Sequence, residues 1–98
     1  MKINSKVPAE IIPVVFDFSE IIPAFDSVVE VGIAVIEGAD ADSPSMLIGS
    51  PTTNGATVVQ LVRGGVADVK YRLYCLVAVG DEKYQIDGDM TVTVWHSK

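Results

Sequence analysis

Val69-Lys70-Tyr71-Arg72-Leu73-Tyr74-Cys75-Leu76-Val77-Ala78-Val79 is the stretch whose reading decides the fold. Side chains alternate across a strand with period two, so Val69, Tyr71, Leu73, Cys75, Val77 and Val79 share one side of this ribbon. It is the longest alternating run in the chain and predicts a central strand. Just upstream, Gly64-Gly65 takes positive φ at low cost and turns the backbone out of the strand before it.

On the far side of that corner, Thr57 to Arg63 reads as a strand with an open choice of inward set. Val58 and Val62 fit one parity, Val59 and Leu61 the other. Beyond the central strand, Gly80-Asp81 predicts a hairpin turn and Glu82 to Asp87 the return. Gly88 is expected to mark a bulge or kink before a closing strand, Asp89 to Trp95.

Towards the amino end, the alternation resumes from Asp26, with Val29, Val31, Ile33 and Val35 on the expected inner side and Val28, Glu30, Gly32, Ala34 and Ile36 on the other. Ile11 to Ser19 reads as an edge strand whose ordered part is Val14 to Phe18, because Pro13 cannot donate to a ladder; Phe16 and Phe18 face inward and Asp17 outward. Ser19 to Pro23 predicts a bend that buries Ile21 or Ile22. Glu37 to Pro44 is acidic and rich in breakers, hence a loop. Met46-Leu47-Ile48 is expected to be a short strand, and Gly49 to Gly55 a turn region ending in Asn54-Gly55. Residues 1–10 are polar and aperiodic and predict a flexible arm, leaving 11–98 as one domain. Short strands between breaker clusters, with no helix-period segment, predict an all-β fold: an antiparallel sandwich of about seven strands.

Composition narrows the function classes. The 98 residues are 49% hydrophobic, enough for one core without disulfide or metal staples. A single cysteine, Cys75, excludes an internal disulfide, and its place on the apolar side of the central strand makes it a buried small hydrophobe. The first ten residues contain no apolar run of signal-peptide length, and no stretch has the length of a membrane span, so a soluble protein made in the cytoplasm is expected, with no membrane partner. The net charge of −6 and the scattering of seven basic residues argue against nucleic acid as a partner.

Chemistry-bearing constellations are sparse. The one histidine, His96, is the third residue from the end and offers no nucleophile–base pair, so no catalytic residue is assigned. Asp40-x-Asp42 and Asp87-x-Asp89 could place two oxygens on one cation, but neither is followed by a complete calcium loop, and solvated turn acids are the expected reading. Gly64-Gly65 lacks the Lys-Ser/Thr of a phosphate loop. No cofactor or metal is expected.

A long strand, a Gly-Gly corner, a Tyr-x-Leu strand, a Gly-Asp turn and a closing Thr-Val-Thr-Val strand follow one another in an order that resembles the end of immunoglobulin-like and fibronectin type III sandwiches. In such folds a tyrosine at the start of the penultimate strand closes a corner by bonding upstream backbone, and Tyr71, with Gly64 and Gly65, matches it. Lys6-Val7-Pro8, Phe16-Asp17-Phe18-Ser19, Val62-Arg63-Gly64-Gly65, Tyr71-Arg72-Leu73 and Met90-Thr91-Val92-Thr93-Val94 together carry a closer resemblance. They are similar, in order, to a family of small tailed-bacteriophage structural proteins with an immunoglobulin-like fold. Family members often carry Gly-Thr before the tyrosine and many threonines after it; this chain has Val69-Lys70 and the more apolar Tyr74-Cys75-Leu76, which points to a drier surface. The resemblance implies a non-enzymatic component of the head–tail or tail region, present in the host cytoplasm during assembly and then in the virion. Its implied partners are other virion proteins or further copies of the chain.

Val28, Ile36, Tyr74, Leu76 and Trp95 fall on the presumed outward parity of their strands and form the expected interface. A parity flip at a bulge, or cover by loops and the arm, would account for the same residues. The alternative function is an immunoglobulin-like adhesion module that binds carbohydrate or a receptor through Glu37 to Pro44 and Ser50 to Gly55. One tryptophan and three tyrosines give it few rings to stack on sugars.

Overall fold

The alternating segments pair as ladders. In a computed structural model, which describes Ile3 and residues 5–94, six strands form: β1 (Ile11–Asp17), β2 (Ser27–Glu37), β3 (Leu47–Asn54), β4 (Thr57–Arg63), β5 (Lys70–Val79) and β6 (Glu82–Thr91). A single 3-10 turn, Ser43–Met46, precedes β3. The strands make two antiparallel three-stranded sheets, ordered β1-β4-β3 and β2-β5-β6. A parallel bridge from Lys6 to Val92 adds a further extended segment beside them. The all-β, two-sheet antiparallel arrangement expected from the sequence is the one observed.

Both sheets contribute to one core. Val14, Phe16, Val58 and Val62 come from the first; Tyr71, Leu73, Cys75, Val77 and Met90 come from the second. Full burial of each such side chain is worth roughly 1.5–3 kcal/mol, and a one-residue slip of β5 would turn its whole inward set to solvent. The long alternation therefore fixes the register of β5, which is paired on both sides along its length.

The corner before β5 is held by the Tyr71 hydroxyl. It accepts the Val66 N–H at 2.9 Å and donates to Asp40 Oδ2 at 2.8 Å, tying the β4–β5 connection to the β2–β3 loop. Burial raises the phenol's pKa, so it remains a donor across the neutral range. Gly64 and Gly65 have φ of 67° and 98°, and a Cβ on Gly65 would press into Val92 and Met46.

Within residues 5–10, Lys6 is fully buried, its N–H donates to Thr91 O and its carbonyl accepts from Thr93 N. Its ammonium is satisfied by Gly64 O at 2.6 Å and Val7 O at 2.8 Å, while burial lowers its pKa. Met46 ends the 3-10 turn rather than opening a strand, and β3 continues through Gly49, Ser50 and Pro51, read from sequence as a turn. An edge position tolerates this proline, and a register shift between Ile48 and Thr52 absorbs the irregularity. Gly88 sits opposite Leu73 in an unbroken ladder with no bulge. In β2 the register shifts between Val28 and Glu30, so Val28 packs on the core and Val29 faces out.

Two measurements test this packing. Tyr71→Phe leaves the Val66 N–H and the Asp40 carboxylate without their partner and is expected to lower unfolding free energy by about 1–2 kcal/mol in a denaturant titration; no change would contradict the corner's role. Burial pushes the Cys75 thiol up to about 11 from 9.0. Because the unfolded chain ionises first, stability present below pH 9 is lost as pH rises towards 11, by roughly 2 kcal/mol. Cys75→Ala should flatten that decline in alkaline melting curves, and an equally steep decline in the variant would count against it.

Candidate interaction face

Each sheet turns one face to the core and one outward, and the two outward faces differ in chemistry. On β2-β5-β6, outward residues meet across the strands as Arg72 with Asp89, Tyr74 with Asp87, Leu76 with Gln85 and Ala78 with Lys83. Arg72 and Asp89 form a forked pair, Nε to Oδ1 at 2.9 Å and a terminal guanidinium N to Oδ2 at 3.3 Å, which lowers the Asp89 pKa. Lys70 lies 3.8 Å from Glu37. The Tyr74 ring covers Gly32, where a Cβ would collide with it, and a hydrogen bond to Glu30 raises the Tyr74 pKa. This face is dressed for water.

The sequence-expected interface lies partly on that wet face and does not assemble there. Val28 is turned to the core by the bulge, Tyr74 and Leu76 are half-buried among polar neighbours, and Ile36 sits at the second register shift of β2, beyond the Ala34–Arg72 rung. Trp95, with His96, lies outside the described residues. Asp40 is engaged by Tyr71 through one carboxylate oxygen and by the Asp42 N–H through the other; Asp89 is engaged by Arg72. Among the described residues no three metal-ligating side chains come together. An open cleft of about 230 Å³ beside the corner is walled by Asp40, Asp42, Met46, Arg63 and Val66, and Arg63 there donates to Ser45 O.

The outer face of β1-β4-β3 is the apolar one, and sequence reasoning missed it. Burial of Val58, Gln60 and Val62 settles the parity of β4 and sends Val59 and Leu61 outward. Beside them on β1, Ile11, Pro13 and Val15 point the same way, and Ile48 of β3 lies across from Leu61. Ile11 is 60% exposed, Val15 49% and Leu61 45%. No residue in the sequence announces the face, because Gln60 is turned inward only by tertiary partners: its side-chain amide reaches Ile48 O at 3.1 Å, Gly49 O at 3.3 Å and Leu61 O at 3.1 Å, filling the irregular stretch of the β3–β4 ladder from inside.

The two outer faces of this small two-sheet protein thus differ, one polar and one apolar. The chain belongs to the family described as Podophage GP4 fiber-tail adaptor protein gp77, which it matches over residues 6–93. It is thus a phage tail structural protein. It matches no curated protein and no solved structure.

The parity of β4 has a direct test. Leu61→Ser, on the open face, is expected to change unfolding free energy by no more than about 0.5 kcal/mol, whereas Val62→Ala should cost roughly 1–3 kcal/mol. Equal losses in chemical denaturation would contradict the assignment of Leu61 to the surface.

Proposed function

We propose that this chain is a non-enzymatic adaptor subunit of a podophage tail that docks within the virion through the outer face of β1-β4-β3. The observation that carries this reading is the exposed row of Ile11, Val15 and Leu61, flanked by Pro13 and Val59, on a member of a fiber-tail adaptor family. Apolar side chains at the centre of a patch, with charge only at its rim, are what protein docking needs. The subunit acts as one domain that includes Lys6, assembles in the host cytoplasm and ends in the virion.

The fold behind this role is an immunoglobulin-like sandwich. In that fold the constant-type order places strands B, E and D in one sheet and C, F and G in the other. Reading β1 to β6 as B to G reproduces the B-E-D and C-F-G orders, with the Lys6 segment bridging in parallel to Val92, just after β6. Tyr71, at the start of the strand equivalent to F, bonds backbone five residues upstream, as a tyrosine corner does.

Co-purification with the fiber and tail proteins of the same phage tests the proposal. Val15→Glu with Leu61→Glu is expected to weaken capture at least about tenfold, as loss of central apolar contacts does, while Ala34→Glu on the other face leaves it unchanged. Undiminished capture by the first variant would overturn the assignment of the face.

A further inference from the structure

The apolar face carries its charges in a pattern that names an occupant. Outward positions run Ile11, Pro13, Val15, Asp17 on β1 and Thr57, Val59, Leu61, Arg63 on β4, with Ile48, Thr52 and Asn54 on β3. Among these, only Asp17 and Arg63 are charged, and they lie at opposite ends. Asp17 shares a rung with Thr57, and Arg63 shares one with Ile11; the middle rung is Val14 with Gln60. Six residues separate the end rungs, about 20 Å at strand rise.

We infer that this face receives a second copy of itself, two such sheets packing face to face about a two-fold axis that crosses the strands at the Val14–Gln60 rung. The inference rests on reading the face as a docking surface and adds what docks there. A two-fold axis across the strands lays each Asp17 rung over the partner's Arg63 rung, so two opposite-charge pairs close the ends of a dry centre. An axis along the strands would instead oppose Asp17 to Asp17 and Arg63 to Arg63, which like-charge repulsion disfavours. Sheets stack about 10 Å apart, a gap that an aspartate and an arginine side chain span from their two sides, the exposed Arg63 meeting Ser45 O through Nε at 3.3 Å and offering its terminal guanidinium nitrogens to the partner. Asp17 stays ionised at neutral pH, because the Ser19 N–H at 2.9 Å lowers its pKa.

Magnitude decides the class of contact. Three strands about 20 Å long give a footprint of roughly 300 Å² on each copy, against about 800 Å² per partner in a standard stable interface. Each copy also carries a net charge of −6, which opposes approach. The pair is therefore weak and concentration-dependent, with a dissociation constant on the order of 100 μM, and is favoured where assembly holds subunits side by side.

Sedimentation velocity of the full chain from about 5 μM to about 1 mM, bracketing that constant, reads the proposal. The wild-type chain is expected to pass from monomer to dimer across this range. Asp17→Arg alone or Arg63→Asp alone should weaken the dimer about fivefold or more, and the two together should restore it to within about twofold, which also shows that the swapped chains fold. Leu61→Glu should hold the chain monomeric. A wild-type chain that stays monomeric throughout, or a dimer whose strength neither single swap changes, overturns the inference. A monomer that still captures a virion protein through Leu61 sinks self-pairing and leaves the adaptor reading standing, whereas a dimer that captures none does the reverse.

Discussion

The placement of one amide decides which side of β4 faces water. Gln60 is buried, and its side-chain N–H groups reach the Ile48, Gly49 and Leu61 carbonyls, where the irregular β3–β4 ladder has lost its even spacing. Burying that amide without such acceptors would cost about 1–3 kcal/mol, so it holds β4 in one register. With Gln60 inside, Val58 and Val62 join the core and Val59 and Leu61 have no choice but the surface. The apolar outer face thus follows from how the core is satisfied.

The remainder of the molecule is arranged so that this face can stay open without cost to the fold. At one end, Tyr71 and the buried ammonium of Lys6 bind the glycine corner from two sides, through Val66 N–H and Gly64 O. The opposite sheet covers its own outward positions with the Arg72–Asp89 pair and the Tyr74 ring over Gly32. Exposed pairs of that kind add little stability; their effect is to keep that surface wet.

Much of the fold is legible in the residues, and the losses have identifiable causes. The alternation of β5, the inward Phe16 and Phe18, and the Gly64-Gly65 corner with Tyr71 are all encoded locally, by periodicity and by residues suited to positive φ. β4 is undecidable from sequence because valine and leucine occupy both parities, and a glutamine between valines reads as outward until its carbonyl partners on β3 are known. Val28 reads as outward for a related reason: a bulge at Val29 flips parity, and no residue type there announces it. The continuation of β3 through Gly49 and Pro51 likewise depends on its being an edge strand, a tertiary fact. The candidate face inherits all of this, since it is visible only once β1, β4 and β3 are side by side.

Hydroxyl-radical footprinting of the free chain against assembled phage tails tests the central claim most directly, because it reads side-chain exposure in place. Ile11, Val15 and Leu61 should be labelled in the free chain and protected in the tail, while Tyr74 and Leu76 on the opposite sheet keep their labelling. Equal labelling of Val15 and Leu61 in both states, or protection confined to Tyr74 and Leu76, would contradict the account.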